Sequence, residues 1–256
     1  NKKFKKSKKT SSVTISFFFL MKKEKANTIN IKQEIIKLST ISWQEHIKNL
    51  KPLNETIFDR LKEVSSDLIF ADSTGLELSG EKFLTASILF KNLLKKELDT
   101  QNVGLLLPST AAGAFINYSI LLMGKTAVNL NYTSEMESIK QSIYSAQIKS
   151  VITSRKFVEK LELKGINIKE FFDLVEIIYL EDLKEKIPKR KSLLTFLSVK
   201  FLPSFILKFI HLTKTNKNDT VLILFSSGSE GKPKGVELTG DNILGNAQQI
   251  ANIINV

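Results

Sequence analysis

A stretch rich in glycine, serine and lysine is the part of this sequence best suited to chemistry. It reads Ser226-Ser-Gly-Ser-Glu-Gly-Lys-Pro-Lys-Gly235 and follows an apolar run, Thr220-Val-Leu-Ile-Leu-Phe225, that predicts a buried strand. Glycines leave backbone N–H groups accessible, serines supply hydroxyls and lysines supply positive charge. Proteins bind phosphate with these groups, so the stretch predicts a phosphate-binding loop at the end of a strand.

The glycine spacing excludes two common phosphate-binding loops. A Walker A loop needs a hydroxyl residue directly after Gly-Lys, whereas Lys232 is followed by Pro233. The dinucleotide pattern begins with two glycines separated by one residue, whereas Gly228, Gly231 and Gly235 are three and four residues apart. A plain hairpin connection between two strands remains an alternative that explains the glycines. It does not explain the paired serines before them or the Pro-Lys-Gly after them.

Residues Ser226 to Val236 resemble the phosphate loop of the adenylate-forming (AMP-binding) superfamily at every position that the family pattern defines. Two further stretches resemble family patterns and occur in the family order. Leu76 to Leu84 is similar to the family helix Leu-Thr-Tyr-x-Glu-Leu, and Ile120 to Tyr132 is similar to the stretch Leu-Lys-Ala-Gly-Ala-Ala-Tyr-Val-Pro-Leu-Asp. The resemblance extends over residues 52–256.

The resemblance implies that this loop embraces the β- and γ-phosphates of ATP while a carboxylate attacks the α-phosphorus. Lys234 would be the catalytic residue, because its ammonium group would stabilise charge moving onto departing pyrophosphate. Lys232 occupies a variable position and is expected to face solvent. Mg²⁺ would accompany ATP with its ligands mostly beyond Val256, and no metal ligand is predicted here. The nucleotide-binding residues so implied are Ser226, Ser227, Gly228, Ser229, Glu230, Gly231 and Lys234.

Glu230, where threonine is usual, makes the loop most similar to that of the bifunctional 2-acylglycerophosphoethanolamine acyltransferase/acyl-ACP synthetases. Gly104 to Thr110 and Val128 to Thr133 agree with this subgroup. The resemblance implies an acid-thiol ligase that activates a fatty acid and transfers it to the thiol of acyl carrier protein or CoA. It also implies a linked acyltransferase that reacylates lysophospholipid. Residues 1–50 would be the tail of that acyltransferase domain, and residues 52–256 the N-terminal part of the adenylation domain.

The two ends of the chain predict that it is part of a longer protein. It begins with Asn1 rather than methionine and stops at Val256 within a predicted helix. The family's adenine, ribose and C-terminal lysine motifs would follow Val256, so this chain alone is expected to be inactive. Gly240 replaces a histidine that is frequent in the family. His46 and His211 cannot substitute for it by position and are expected on surface or amphipathic faces.

The hydrophobic pattern around the loop predicts an α/β fold in which helices flank a mostly parallel sheet. With the resemblance, this becomes the N-terminal portion of an AMP-binding synthetase large domain. A β-hairpin is predicted at residues 68–78, and Ser79 is predicted to cap the next helix, which runs to Lys96. Gly124 is predicted to end a later helix. The other predicted strands are 13–20, 102–107, 126–130, 150–153, 174–179 and 220–225, and the other predicted helices are 31–49, 56–64, 108–123, 134–145 and 156–163.

The net charge of +12 over 256 residues is concentrated in two segments. Residues 1–25 and 184–217 each carry +8, which leaves −4 for the remainder. Because the body is mildly acidic and no known binding pattern occurs, nucleic acid is not a predicted partner. The absence of cysteine excludes thiol catalysis and cysteine-ligated zinc. Two alternatives to the fatty acid ligase stay open: a soluble adenylating enzyme for another carboxylate, and a non-catalytic basic module that binds membrane or nucleic acid.

The second basic segment contains an apolar stretch, residues 193–212, as long as a membrane span. Lys200, Lys208 and Pro203 argue against a transmembrane helix. Two short amphipathic helices at a membrane interface fit better, and a hydrophobic insertion packed on its own domain remains the alternative. The predicted partner is an anionic membrane surface. The predicted location is the cytoplasmic face of the cell membrane, peripheral or attached through regions outside this chain.

Overall fold

The computed structural model describes residues 27–48, 50–73, 75–226 and 233–254. The chain separates into two units, Asn1–Leu50 and Lys51–Val256. In the first unit, helix α1 spans Thr28–Lys48, which confirms the helix predicted at 31–49 with an earlier start. The strand predicted at 13–20 lies outside the described residues.

Helices and strands alternate through most of the second unit. Ser79 accepts a hydrogen bond from the Lys82 backbone N–H at 3.4 Å and caps α3, as predicted. The helices are α2 Leu53–Glu63, α3 Gly80–Glu97, α4 Ala111–Leu122, α5 Met136–Ser145, α6 Arg155–Glu162, α7 Leu180–Glu185, α8 Lys189–Phe201, α9 Ser204–His211 and α10 Gly240–Ile254, with a 3₁₀ helix at Ile168–Leu174. The strands are β1 Leu68–Ala71, β2 Glu77–Ser79, β3 Asn102–Leu105, β4 Thr126–Asn129, β5 Ser150–Thr153, β6 Glu176–Tyr179, β7 Thr220–Ser226 and β8 Lys234–Thr239.

Six of these strands form one sheet in the order β6-β5-β3-β4-β7-β8. The first five are parallel to their neighbours, and β8 is antiparallel to β7. The predicted hairpin is confirmed as the separate antiparallel pair β1–β2. The predicted fold class, α/β with a mostly parallel sheet and flanking helices, is therefore confirmed.

The central strands are buried on both faces, as their apolar sequences predict. Val103 in β3, Val128 in β4 and Val151 in β5 have no exposed surface. Val128 and Val151 belong to an apolar cluster to which helices α5 and α6 add Ile139 and Phe157. Because the strands are held on both sides, their carboxyl ends form a fixed edge for the loops that follow.

The predicted start of α4 at Pro108 and Ser109 is wrong, since the helix begins at Ala111. Two oxygen acceptors set this boundary. The Thr110 hydroxyl accepts from the Gly113 backbone N–H at 3.4 Å, and the Asp72 carboxylate accepts from the Ala111 backbone N–H at 2.9 Å. The C-terminal end agrees with prediction: Gly124, just past the helix, has φ +70°, which glycine adopts without strain.

The starts of one helix and one strand differ from the predicted positions, because the residues just before them form a side-chain turn and a 3₁₀ helix. Helix α5 begins at Met136 rather than at residue 134, since Thr133 is held by Asn131 in a side-chain turn. Strand β6 begins at Glu176, because Leu174 closes the 3₁₀ helix before it.

The second basic segment forms two short helices, α8 and α9, as predicted, and Pro203 lies between them. Val199 and Leu207 are the fully buried residues of these helices and attach them to the rest of the unit. Among the described residues, no helix is long and apolar enough to cross a membrane.

Candidate functional site

The glycine-rich loop connects two paired strands at one end of the sheet. Ser226 ends β7, Lys234 begins β8, and the two residues lie opposite each other in the antiparallel register. The Ser226 hydroxyl donates to the Lys234 carbonyl at 3.5 Å. Both residues therefore belong to strands rather than to the loop, which differs from the sequence interpretation of 226–234 as one loop.

Side chains of directly opposed residues project from the same face of a sheet. The Ser226 and Lys234 side chains consequently lie on one side of the loop entrance, which is the point where the chain leaves β7 and returns in β8. Both residues are exposed. A hydroxyl donor and a cation so placed suit an anionic ligand such as phosphate. Ser227, Gly228, Ser229, Glu230 and Gly231, the other predicted nucleotide-binding residues, lie outside the described residues, as does Lys232.

A cavity of about 410 Å³ lies beside this entrance, at the carboxyl ends of β4 and β7. Phe225 and Ser226 of β7 form one wall of the cavity, together with Pro233 next to the loop. The segment after β4 and the start of α5 form the other wall of the cavity. Five hydroxyl side chains line the cavity: Thr133, Ser134, Ser138, Ser142 and Ser226. Ligands of open parallel sheets bind at this edge, where strand ends converge.

The segment after β4 is ordered by its own polar groups. The Asn131 carboxamide oxygen accepts from the Thr133 backbone N–H at 3.1 Å and from the Thr133 hydroxyl at 2.7 Å. The Ser134 backbone N–H donates to the Asn131 carbonyl at 3.1 Å. This arrangement fixes a polar wall opposite Ser226.

Sequence reasoning missed Asn131, Thr133 and Ser134 as candidate site residues. The available signal was their position directly after a predicted parallel strand, because carboxyl ends of neighbouring strands meet at one edge. The sequence did not reveal that β4 is the neighbour of β7.

A pair of asparagines fixes helix α4 against β4 at this edge. The Asn129 side-chain amide donates to the Asn117 carboxamide oxygen at 3.1 Å, and the Asn117 amide donates back to the Asn129 carboxamide oxygen at 3.4 Å. The Asn117 amide also donates to the Gly113 backbone carbonyl at 2.9 Å. Reciprocal amide contacts hold both side chains in one orientation. The end of β4, and hence the polar wall after it, is positioned by α4 as well as by the sheet.

The described residues offer few ligands for a divalent cation. Glu135 is the single carboxylate among the described residues that line the cavity. Across the described part of the chain, no group of three or more histidine, cysteine, aspartate or glutamate side chains could hold a metal ion. These residues do not fit a protein-built Mg²⁺ site, so no chemical step is assigned to a metal here.

A family model described as AMP-binding enzyme matches residues 85–256, about two thirds of the chain. The chain belongs to the AMP-binding enzyme family. The superfamily predicted from the loop is therefore confirmed. The narrower resemblance to acyl-ACP synthetases linked to an acyltransferase stays a prediction.

Individual proteins similar to this chain include one curated relative and several solved structures. A curated relative, 4-coumarate--CoA ligase-like 6 of Arabidopsis thaliana, is 27% identical over 142 residues, which are 56% of this chain and 23% of the relative. The solved structure of VinN with L-aspartate has a TM-score of 0.61 at 15% identity, covering 80% of this chain and 53% of VinN. A double mutant of o-succinylbenzoate CoA synthetase from Bacillus subtilis has a TM-score of 0.61 at 17% identity, covering 80% and 37%.

These solved structures share their fold with this chain. The chain spans about a quarter of the length of the curated relative and about half or less of the two solved structures.

Proposed function

We propose that this chain is the nucleotide-phosphate-binding part of an enzyme that activates a carboxylic acid with ATP and transfers the acyl group to a thiol. The observation that carries the proposal is the position of the loop: it joins β7 to β8 beside the hydroxyl-lined cavity at the carboxyl edge of the sheet. Membership of the AMP-binding family supports the same reaction class.

In the activating step, a carboxylate oxygen of the acid attacks the α-phosphorus of ATP. An acyl–phosphate bond forms, the bond from the α-phosphorus to the bridging oxygen breaks, and pyrophosphate leaves with the electron pair. Negative charge grows on the β- and γ-phosphates. The Lys234 ammonium and the Ser226 hydroxyl would stabilise that charge.

The proposed substrate is a fatty acid, and the proposed acceptor is the phosphopantetheine thiol of acyl carrier protein, or CoA. The thiol sulfur would attack the acyl carbonyl and displace AMP. This substrate class is supported by the loop variant with Glu230 and by the stretches Gly104 to Thr110 and Val128 to Thr133. We further propose that residues 1–50 belong to a linked acyltransferase domain that transfers the acyl group to lysophospholipid.

A second candidate substrate is an aryl carboxylate with CoA as the acceptor. The observation in its favour is the curated relative, whose name is 4-coumarate--CoA ligase-like 6. The two candidates share the adenylation step and differ in the acid, so one assay separates them.

ATP–pyrophosphate exchange by the protein expressed from its complete coding sequence tests both candidates. The panel contains palmitate, 4-coumarate and aspartate. Exchange that depends on palmitate supports the fatty acid ligase, and exchange that depends on 4-coumarate alone supports the second candidate. A protein that exchanges with no carboxylate contradicts both and favours a non-catalytic module.

The acceptor and the linked activity need separate measurements on the same protein. Thioester formation with acyl carrier protein or with CoA, followed by mass spectrometry, identifies the thiol. Conversion of lysophosphatidylethanolamine to the diacyl lipid tests the linked acyltransferase. Activation without lipid reacylation contradicts only the second part of the proposal.

A further inference from the structure

Helices α8 and α9 expose large apolar side chains that the proposed activation chemistry does not use. Phe201 is 72% exposed, Phe205 is 70% exposed and Phe209 is 91% exposed. Exposed apolar residues scattered singly need no explanation, but a contiguous group marks an interaction surface. The apolar surface defined by these two helices consists of Leu193, Leu194, Leu197, Phe201, Phe205 and Phe209.

The helical period places these side chains on the outward faces of both helices. Successive residues of an α-helix are rotated by about 100°, so residues two positions apart lie on nearly opposite sides. In α8, Leu197 and Phe201 lie two positions before and after the fully buried Val199. In α9, Phe205 and Phe209 lie two positions before and after the fully buried Leu207. Each helix therefore buries one side and presents the apolar surface to solvent.

Contacts with α2 hold the two helices in this orientation. Lys62 donates to the carbonyls of Val199 and Leu202, at the end of α8. Lys208 forms ion pairs of 2.9 Å with both Glu55 and Asp59.

The Ser204 hydroxyl also donates a hydrogen bond to the Asp59 carboxylate at 3.1 Å. Because α9 is attached through its inward side by these groups, its phenylalanines cannot turn inward without breaking them.

The segment that carries the apolar surface is basic, although Lys186 and Lys208 form ion pairs with carboxylates of α3 and α2. The segment Lys186 to Asn218 contains eight lysine or arginine residues and no aspartate or glutamate. Lys189, Arg190 and Lys191 are exposed at the start of α8. The Lys200 ammonium lies 5.9 Å from the ring centre of Phe201, so a cation sits within the surface itself.

We propose that this surface docks on an anionic lipid bilayer. Phenyl and leucyl side chains would enter the boundary between headgroups and acyl chains, while the flanking cations would meet lipid phosphates. A second copy of this chain is a poorer occupant, because both faces would bring the same positive charge. Nucleic acid is also a poorer occupant, because the outward centre of the surface is aliphatic as well as aromatic.

Vesicle flotation with the full 256-residue chain tests the proposal. Vesicles of equal parts phosphatidylcholine and phosphatidylglycerol are compared with vesicles of phosphatidylcholine alone. We expect flotation with the anionic vesicles and its loss at about 1 M salt, where the Debye length is about 3 Å. Phe205→Glu/Phe209→Glu should lower the partition coefficient at least about tenfold, since two inserted rings become charged.

A matched control changes the same number of exposed apolar residues elsewhere. Tyr144 and Leu163 are 66% and 89% exposed and lie outside α8 and α9. Tyr144→Glu/Leu163→Glu introduces the same two charges and should bind vesicles as the wild type does. Thermal unfolding followed by circular dichroism should give equal midpoints for both double variants, because all four residues are exposed.

A second variant tests the contribution of the cations at the start of α8. Lys189→Gln/Arg190→Gln/Lys191→Gln should weaken binding to anionic vesicles about a hundredfold, at roughly fivefold per charge. Its control is Lys149→Gln/Lys160→Gln/Lys164→Gln, three lysines that are exposed elsewhere. Wild-type binding by the α8 triple variant and the α9 double variant, or no flotation of the wild type, contradicts the proposal. Dimerisation that requires Phe205 and Phe209 in the absence of vesicle binding also contradicts it.

Discussion

Gly235 lies directly opposite Phe225 in the β7–β8 pairing, and a Cβ added to Gly235 would come within 3.1 Å of Phe225 Cε1. The Phe225 ring borders the cavity and packs against the apolar cluster of the sheet. A side chain at position 235 would therefore crowd the Phe225 ring where it packs across the hairpin.

Gly235→Ala should shift the Phe225 ring and destabilise the hairpin. Alanine gains up to about 1 kcal/mol over glycine in a strand, whereas overpacking costs about 1–3 kcal/mol, so the net effect is a loss of about 1 kcal/mol. Urea unfolding measures the change in unfolding free energy. Adding Phe225→Leu removes the clash, so the double variant should be more stable than the sum of the single effects by about 1 kcal/mol. Strict additivity would contradict the contact.

Lys234→Ala should lower the rate of ATP–pyrophosphate exchange about 10²–10³-fold in the complete protein, because a cation next to developing charge is removed. The change should leave the unfolding free energy within about 0.5 kcal/mol, since Lys234 is exposed. Lys232→Ala is the matched control, because it removes an equal charge two residues earlier in the chain. Equal losses from both variants would mean that general electrostatics, rather than a specific contact of Lys234, supports the reaction.

Local sequence signals predicted most element types. Ser79 was identified as a helix cap and Gly124 as a helix end, because each acts through its own backbone or through the adjacent turn. The two helices of the basic segment follow from Pro203 in the same way. Signals of this kind depend on residues within about one turn of each other.

Features set by distant residues could not be read from the sequence. Helix α4 begins at Ala111 partly because Asp72, which is 39 residues earlier in the chain, accepts from its N–H. Asn131 faces Ser226 across the cavity because β4 pairs with β7, and strand order is a property of the whole sheet. The burial of Val199 likewise depends on the packing of α8 against α3, an element that lies about 100 residues earlier in the chain.

Asp72→Ala should lower the unfolding free energy by about 1–2 kcal/mol, because the Ala111 N–H at the positive end of α4 loses a carboxylate acceptor. Asp67→Ala is the control: Asp67 is exposed, and the change should stay within about 0.5 kcal/mol. Asp72→Asn retains an oxygen acceptor and should lose less than Asp72→Ala. Chemical denaturation of the three variants checks the order, and equal stability of Asp72→Ala and wild type would contradict the capping role.

His211 should make the protein less stable in mild acid. The residue is partly buried at the end of α9, rather than on the open surface. Burial, with a smaller contribution from the positive charge of Lys91, lowers the pKa of His211 to about 4 from 6.5. As the pH falls, the imidazole of the unfolded chain binds a proton at a higher pH than the imidazole of the folded protein does. The unfolding free energy therefore decreases as the pH falls from 6.5 to 4, by up to about 3 kcal/mol.

His211→Gln removes this titration and should flatten the pH dependence within that window. The anchoring carboxylate Asp59 titrates in a separate window: burial raises its pKa, but hydrogen bonds from Lys51 and Lys208 outweigh burial and leave the pKa below 3.8. Its stabilising effect is lost only as the pH falls below about 4. Urea unfolding of wild type and His211→Gln at several pH values between about 7 and 4 separates the two groups. A decrease across this range that persists in His211→Gln would assign the effect to other residues.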